Sequence, residues 1–275
     1  MDRASAGWLG LYVVGSALLY FFVKAGLAYA QPLEYTVLRF VLSAVVLLAL
    51  TRSLTLNRYV VLLAALAAAS SVVWAWGLML VLPATSASLS YFMPFVAIIM
   101  SFFVLGERLD RWGAAGMAIG AVGVTLYAVE SVRGRNTALG VGLTLFNTVL
   151  WAGYTVLYRK IAKLGADVDM NSVNLSMFLL GTAMMLPFVA VDHSPVRLNL
   201  TLLVSLAWAS TMGGALQFLS WSRLLERMSV SRATLLSYLV PAAAAGVQAA
   251  MGEPPGPLQA LGLGIMVLGA YVALR

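Results

Sequence analysis

Between residues 7 and 274 the sequence falls into ten apolar stretches: 7–29, 33–51, 58–80, 84–105, 110–129, 138–160, 170–191, 200–221, 230–250 and 256–274. A helix rises about 1.5 Å per residue, so about 20 apolar residues cover the roughly 30 Å of hydrocarbon in a bilayer. Each stretch is therefore expected to be a membrane-spanning helix. At 62% hydrophobic and 10% charged, the chain lies far from the soluble balance, and no room is left for a separate soluble domain. Links such as Gln31-Pro32, Leu82-Pro83 and Gly252-Glu253-Pro254-Pro255 are too short to join anything but antiparallel neighbours. The expected fold is a single all-α integral membrane bundle. The first stretch has no small-residue cleavage site and reads as a retained span rather than a signal peptide.

A short pattern occurs twice. Ser90-Tyr91-Phe92-Met93-Pro94, followed by Gly106-Glu107, returns 147 residues later as Ser237-Tyr238-Leu239-Val240-Pro241, followed by Gly252-Glu253. Trp74 precedes the first copy as Trp221 precedes the second, and Gly116 and Gly123 align with Gly262 and Gly269. The copies fall in the fourth and ninth stretches, an odd number of spans apart, so the second half must cross the membrane upside down. Two inverted five-helix repeats, 1–132 and 133–275, follow, with a site between them near the midplane.

Basic residues set the orientation. With the N-terminus inside, Arg3, Arg52, Arg58, Arg108, Arg111, Arg159, Lys160, Lys163, Arg223, Arg227, Arg232 and Arg275 fall on the cytoplasmic side. Only Arg133, Arg135 and Arg197 fall outside, while Lys24 and Arg39 lie in or near spans. The positive-inside bias thus places both termini in the cytoplasm of a plasma-membrane protein. It also puts Gly106-Glu107 and Gly252-Glu253 at opposite mouths.

Several of these residues carry a resemblance: Tyr91-x-x-Pro94 with Leu105-Gly106-Glu107-Arg108-Leu109, the glycine-spaced fifth span, Gly15-Ser16 through Lys24, Leu38-Arg39-Phe40, and Leu150 to Tyr154. The sequence resembles the EamA-type members of the drug/metabolite transporter superfamily over nearly its whole length, and is similar to YddG-like exporters of aromatic amino acids. The resemblance implies a ten-span secondary carrier, often an exporter of amino acids or other small metabolites, with nucleotide-sugar and sugar-phosphate carriers as more distant relatives.

Site candidates are the polar and aromatic groups set in apolar helices. Ser16, Tyr20 and Lys24 share one face of the first span; Lys24 either faces a cavity or snorkels to headgroups. Arg39 suits a two-point contact with a carboxylate or phosphate, or a structural role on helix carbonyls or beside Glu34. Asn147, Trp151 and Tyr154 on the sixth span, and Gln217 with Trp221 on the eighth, offer polar handles and aromatic walls. Trp74, Tyr91 and Tyr238 complete the substrate-binding candidates. Pro94 and Pro241 are expected to kink their spans and free carbonyls at residues 90 and 237. Asn171 and Asn174 read as interhelical hydrogen-bonding groups, and Glu107 as a loop or capping charge.

Other functions fare worse. The basic residues are scattered, which argues against nucleic acid. With no cysteine and a lone His193 in a predicted loop, neither a metal site nor a nucleophile–base pair is apparent, so no cofactor and no enzyme activity are expected. Charge rings and filter-like segments of a channel are missing. The expected partners are a small-molecule substrate and the lipid bilayer. The chain is either a monomer or a homodimer packed on its small-residue faces. A sugar-phosphate or other organic-anion cargo is the alternative, and a non-transport membrane role the remote one.

Overall fold

The computed structural model describes residues 2–131, 137–164, 169–191, 194–252 and 254–273. Arg133, Arg135, His193, Glu253, Arg275 and the expected repeat boundary at 132/133 lie outside those residues. Among the described residues all regular structure is helical. The helices are α1 (Arg3–Gly26), α2 (Pro32–Leu48), α3 (Arg58–Leu80), α4 (Pro83–Ser90), α5 (Met93–Leu105), α6 (Arg111–Ser131) and α7 (Ala138–Leu164). They continue as α8 (Met170–Val191), α9 (Leu200–Ser210), α10 (Gln217–Arg227), α11 (Val230–Leu236), α12 (Leu239–Ala250) and α13 (Pro257–Val272). A π turn, Thr211–Leu216, joins α9 to α10 without a break.

The helix starts follow from local chemistry. Asp2 accepts from the Ser5 amide at 3.0 Å and caps α1, while Asn57 accepts from the amides of Tyr59 and Val60 and caps α3. Proline opens α2, α4 and α13, where its missing N–H has no intrahelical use. The glycine of each repeated Gly-Glu pair has its own reason. Gly106 (φ 65) and Gly252 (φ 90) occupy the left-handed region in which a helix ends and a side chain is disfavoured.

Eight helical segments are long and apolar enough to cross a membrane; Pro257–Val272 is a shorter apolar helix, and α2 has 17 residues. The expected spans overlie these segments, with one clear difference. The eighth expected span ends at 221, yet the helix runs on to Arg227, with Arg223 and Glu226 paired at 3.1 Å on its last turns. Charges that mark the edge of a hydrophobic stretch need not end a helix.

Each of the two prolines lies just past a break in its span. Neither interrupts a helix from inside: Pro94 is the second residue of α5 and Pro241 the third of α12, and the chain breaks one step earlier, at Tyr91-Phe92 and Ser237-Tyr238. Tighter i→i+3 bonds bridge the gaps, including Phe92 N–H to Leu89 O at 3.1 Å and Val240 N–H to Ser237 O at 2.9 Å. The Ser237 carbonyl is thus satisfied by backbone. The serine hydroxyls turn back onto Ser86 O and Thr234 O rather than covering the carbonyls at 90 and 237.

Packing pairs recur in a fixed exchange. α1 lies against α9, the π turn and α10, and α7 lies against α3 in the same way. α2 meets α9 as α8 meets α3, and α6 packs extensively on α13. At that last seam backbones touch. A Cβ placed on Gly116 would sit 2.6 Å from Gly269 O, and one on Gly123 would sit 2.7 Å from Gly262 O. Small residues are what allow such an approach between apolar helices. Outward-facing apolar side chains such as Phe103, Phe188 and Val191 stay exposed, as a lipid-facing surface requires.

Candidate functional site

Tyr20, Arg39, Trp74, Tyr91, Asn147, Trp151 and Gln217 meet in one cavity. It sits at mid-length of the helices and is partly open to its surroundings. Side chains from α1, α2, α3 and the α4–α5 break line it together with side chains from α7 and α10. Tyr12, Ser70, Ser71, Met93, Thr148 and Phe218 also face it, beside Ser16 and Ser90. Tyr12 was legible in principle, since it lies one turn before Ser16 on the Ser16–Tyr20 face. Ser70-Ser71 stands out as the polar pair in an alanine-rich span, one turn before Trp74.

The cavity's polar groups are held in place by neighbours. Gln217 Nε2 donates to Ser16 Oγ at 2.7 Å, and Ser70 Oγ donates to Asn147 Oδ1 at 2.6 Å. Gln217 Oε1 is buried with no partner among the described residues. Trp74 meets Tyr20 edge-on at 5.4 Å, and Trp151 stacks on Tyr154 at 4.7 Å.

Arg39 is 4% exposed and owes its position to the π turn. A π turn widens the hydrogen-bond spacing and leaves carbonyls without helical partners. Arg39 Nε donates to Ala209 O at 3.0 Å and Nη2 to Gly213 O at 2.5 Å, while Ser43 Oγ reaches Ser210 O at 3.0 Å. Gly214 allows this, because a Cβ there would collide with Ser43 Oγ. Glu34 is not its partner; that carboxylate accepts from the Ser194 amide at 2.7 Å.

Lys24, Tyr154, Trp221 and Tyr238 do not line the cavity. Lys24 Nζ donates to the carbonyls of Leu78 (2.8 Å), Met79 (3.0 Å) and Val81 (2.9 Å), because the end of α3 presents oxygens with no helical donor. Tyr154 is fully buried behind the Trp151 ring, and Trp221 stands behind Tyr12, stacked at 4.6 Å and bonded through Nε1 to Thr155 Oγ1 at 3.2 Å. Tyr238 fills the space left by Gly120, where a Cβ would meet its ring. The asparagines of α8 join helices: Asn174 Nδ2 donates to Ser222 Oγ at 3.2 Å, and Asn171 Oδ1 accepts from Arg223.

Glu107 does more than cap a loop. Beyond the end of α5 it accepts from Arg159 Nε at 3.2 Å, Lys163 Nζ at 2.9 Å and the Val230 amide at 2.9 Å, tying α5 to α7 and α11. Burial pushes its carboxyl up, but the bonds from Lys163, Val230 and Arg159 outweigh that and hold it below the ordinary carboxylate value.

Comparison with known proteins fits this geometry. The EamA-like transporter family model matches residues 5–129 and 138–275. The chain is 33% identical over 239 residues to an uncharacterized transporter in the sor 3' region of Acidianus ambivalens, covering 87% of this chain and 92% of that one. It is 27% identical to a probable amino-acid metabolite efflux pump of Salmonella typhimurium, covering 65% of this chain and 62% of that protein. It is 26% identical to a probable terminal-alkyne amino-acid exporter of Streptantibioticus cattleyicolor, covering 73% and 67%. A crystal structure of a protein 20% identical superposes with a TM-score of 0.82 over 99% of this chain and 97% of that one, a likeness of fold. This multi-pass membrane protein belongs to the EamA-like transporter family, and its work is to move small molecules across a membrane.

Proposed function

We propose that the chain is a secondary carrier that exports amino acids or similar small metabolites across the plasma membrane. It works by alternating access between two inverted five-helix halves, 1–132 and 133–275, with both termini cytoplasmic. The observation that carries this reading is the cavity at mid-length, to which both halves contribute aromatic walls and fixed polar groups. A carrier site at the junction of two repeats has that form.

Three further features support it. The exchange of packing pairs, α1 on α9–α10 for α7 on α3, is what a two-fold axis in the membrane plane produces. Gly116 meeting Gly269 while Gly123 meets Gly262 is the same exchange, since Gly116 aligns with Gly262 and Gly123 with Gly269. The family match falls into two stretches that divide the chain near the same place. The lining bears on cargo charge. A sugar phosphate wants several cations, but Lys24 is bonded to the end of α3 and Arg39 is the cation that reaches the cavity.

The test is flux in proteoliposomes. Saturable counterflow of at least one amino acid, competed by unlabelled substrate, is the expected result. Absence of saturable flux across a panel of amino acids and small metabolites counts against a carrier.

A further inference from the structure

A guanidinium carries five N–H donors, and the cavity leaves most of those of Arg39 unused. Nε–H and one Nη2–H are bonded to Ala209 O and Gly213 O. Among the described residues no carboxylate pairs with it, and its charge is buried at 4% exposure. A cation buried in a membrane protein without a counter-charge is costly unless something completes it. The remaining donors, both on Nη1 and one on Nη2, form a planar fork, and Arg39 is part of the cavity wall. Its carbon Cζ lies 5.9 Å from the Trp74 ring and 6.0 Å from the Phe218 ring, and both rings line the same cavity.

We infer that Arg39 is the anchor for a substrate carboxylate, held in two-point contact, with the apolar body of the substrate against Trp74 and Phe218. The inference rests on the carrier reading for its setting and adds a chemical requirement to it: the cargo must bear a carboxylate. Two bonds to the π turn fix the guanidinium plane, so the anchor is rigid before substrate arrives and loses little freedom on binding. A lysine at this position would keep the charge but lose the planar fork. Gln217 Oε1, the buried acceptor without a partner in the same cavity, is placed to take an ammonium hydrogen of a zwitterion.

Matched pairs test this on the native protein. Binding of the standard amino acids and of their carboxamides to the purified transporter is read by intrinsic tryptophan fluorescence, since Trp74 and Trp151 line the cavity. At least one acid should bind, and its amide should bind about tenfold more weakly or worse, the scale of a charge-assisted hydrogen bond. Arg39→Gln should remove the discrimination, and Arg39→Lys should keep only part of it. If Arg39→Gln fails to fold, the native protein and Arg39→Lys decide. Equal binding of acid and amide, binding by none of the acids, or full discrimination in Arg39→Gln overturns the inference. Flux separates the two proposals: acid-selective binding without transport leaves the anchor standing and rejects the carrier. Transport that treats acids and amides alike does the reverse.

Discussion

At opposite ends of the bundle, two cations close off two helix ends in related ways. Lys24 of α1 donates to the carbonyls of Leu78 and Met79 near the end of α3, and Arg159 of α7 donates to those of Leu225 (2.5 Å) and Glu226 (3.1 Å) near the end of α10. The acceptors are 147 residues apart, the spacing of the two Ser-Tyr-x-x-Pro copies. In both places the last carbonyls of a helix, the negative end of its dipole, meet a cation from a neighbouring rod.

The difference lies in what else holds the cation. Arg159 shares Glu107 with Lys163, so the end of α5 is tied to α7 by charge, and the Val230 amide adds α11 to the same carboxylate. Lys24, among the described residues, meets backbone oxygens alone. One end is held by ion pairs and the other by neutral acceptors; if the chain works by the alternating access proposed above, the Glu107 ion pairs must part whenever that end opens. On the positive-inside reading Glu107 and Lys163 belong to cytoplasmic links, which would make this the inner mouth.

Breaking the locked end should have the largest effect. Glu107→Ala strands Arg159 and Lys163 in a half-buried site, at a cost of about 2 kcal/mol, between the exposed and the buried extremes for ion pairs. It should lower the melting temperature in detergent and raise the reactivity of cysteines placed inside that mouth. Because the Glu107 carboxyl is held below its ordinary value of 4.5, its stabilising contribution is fully present above that pH and fades as pH falls through the folded value. Glu107→Gln should flatten that acid limb of a stability–pH curve.

The α6–α13 seam, which the same exchange maps onto itself, sharpens the comparison. Gly116→Ala and Gly262→Ala both drive a methyl group against backbone, 2.6 Å from Gly269 O and 2.7 Å from Gly123 O. Each should destabilise by about 1–2 kcal/mol, and by similar amounts. Markedly unequal losses in thermal unfolding would break the equivalence. The Lys24 end should respond least: Lys24→Met leaves three carbonyls at the end of α3 without their donor, at about 1 kcal/mol. Orientation is tested without any stability change. In this cysteine-free sequence, a single cysteine at Ser194 should react with an impermeant thiol reagent added outside, and one at Lys163 should not.

Much of the architecture was legible in the sequence because span length and short links leave little freedom. Hydropathy located the helices, and the repeat identified Trp74 with Trp221 and Gly106 with Gly252. Side-chain direction was harder to read. Trp151 and Tyr154 are three residues apart on one helix face, yet Trp151 borders the cavity and Tyr154 lies behind it, because depth depends on how α10 packs against α7. Trp74 and Trp221 occupy matching positions, but Tyr12 covers Trp221 from the cavity. The π turn had a hint in Gly213-Gly214, but no residue pattern said that Arg39 and Ser43 would meet its carbonyls. Lys24 read as polar-faced in sequence, and only the nearness of the end of α3 decided where its amine went.

The alternating access proposed above requires the Glu107 end to open during transport. Cysteines replacing Glu107 and Arg159 in the cysteine-free chain, joined by a short bifunctional thiol reagent, give the most direct test in proteoliposomes. Cross-linking should abolish saturable amino-acid flux, and cleaving a reducible linker should restore it. Undiminished flux through protein shown to be fully cross-linked would contradict that requirement.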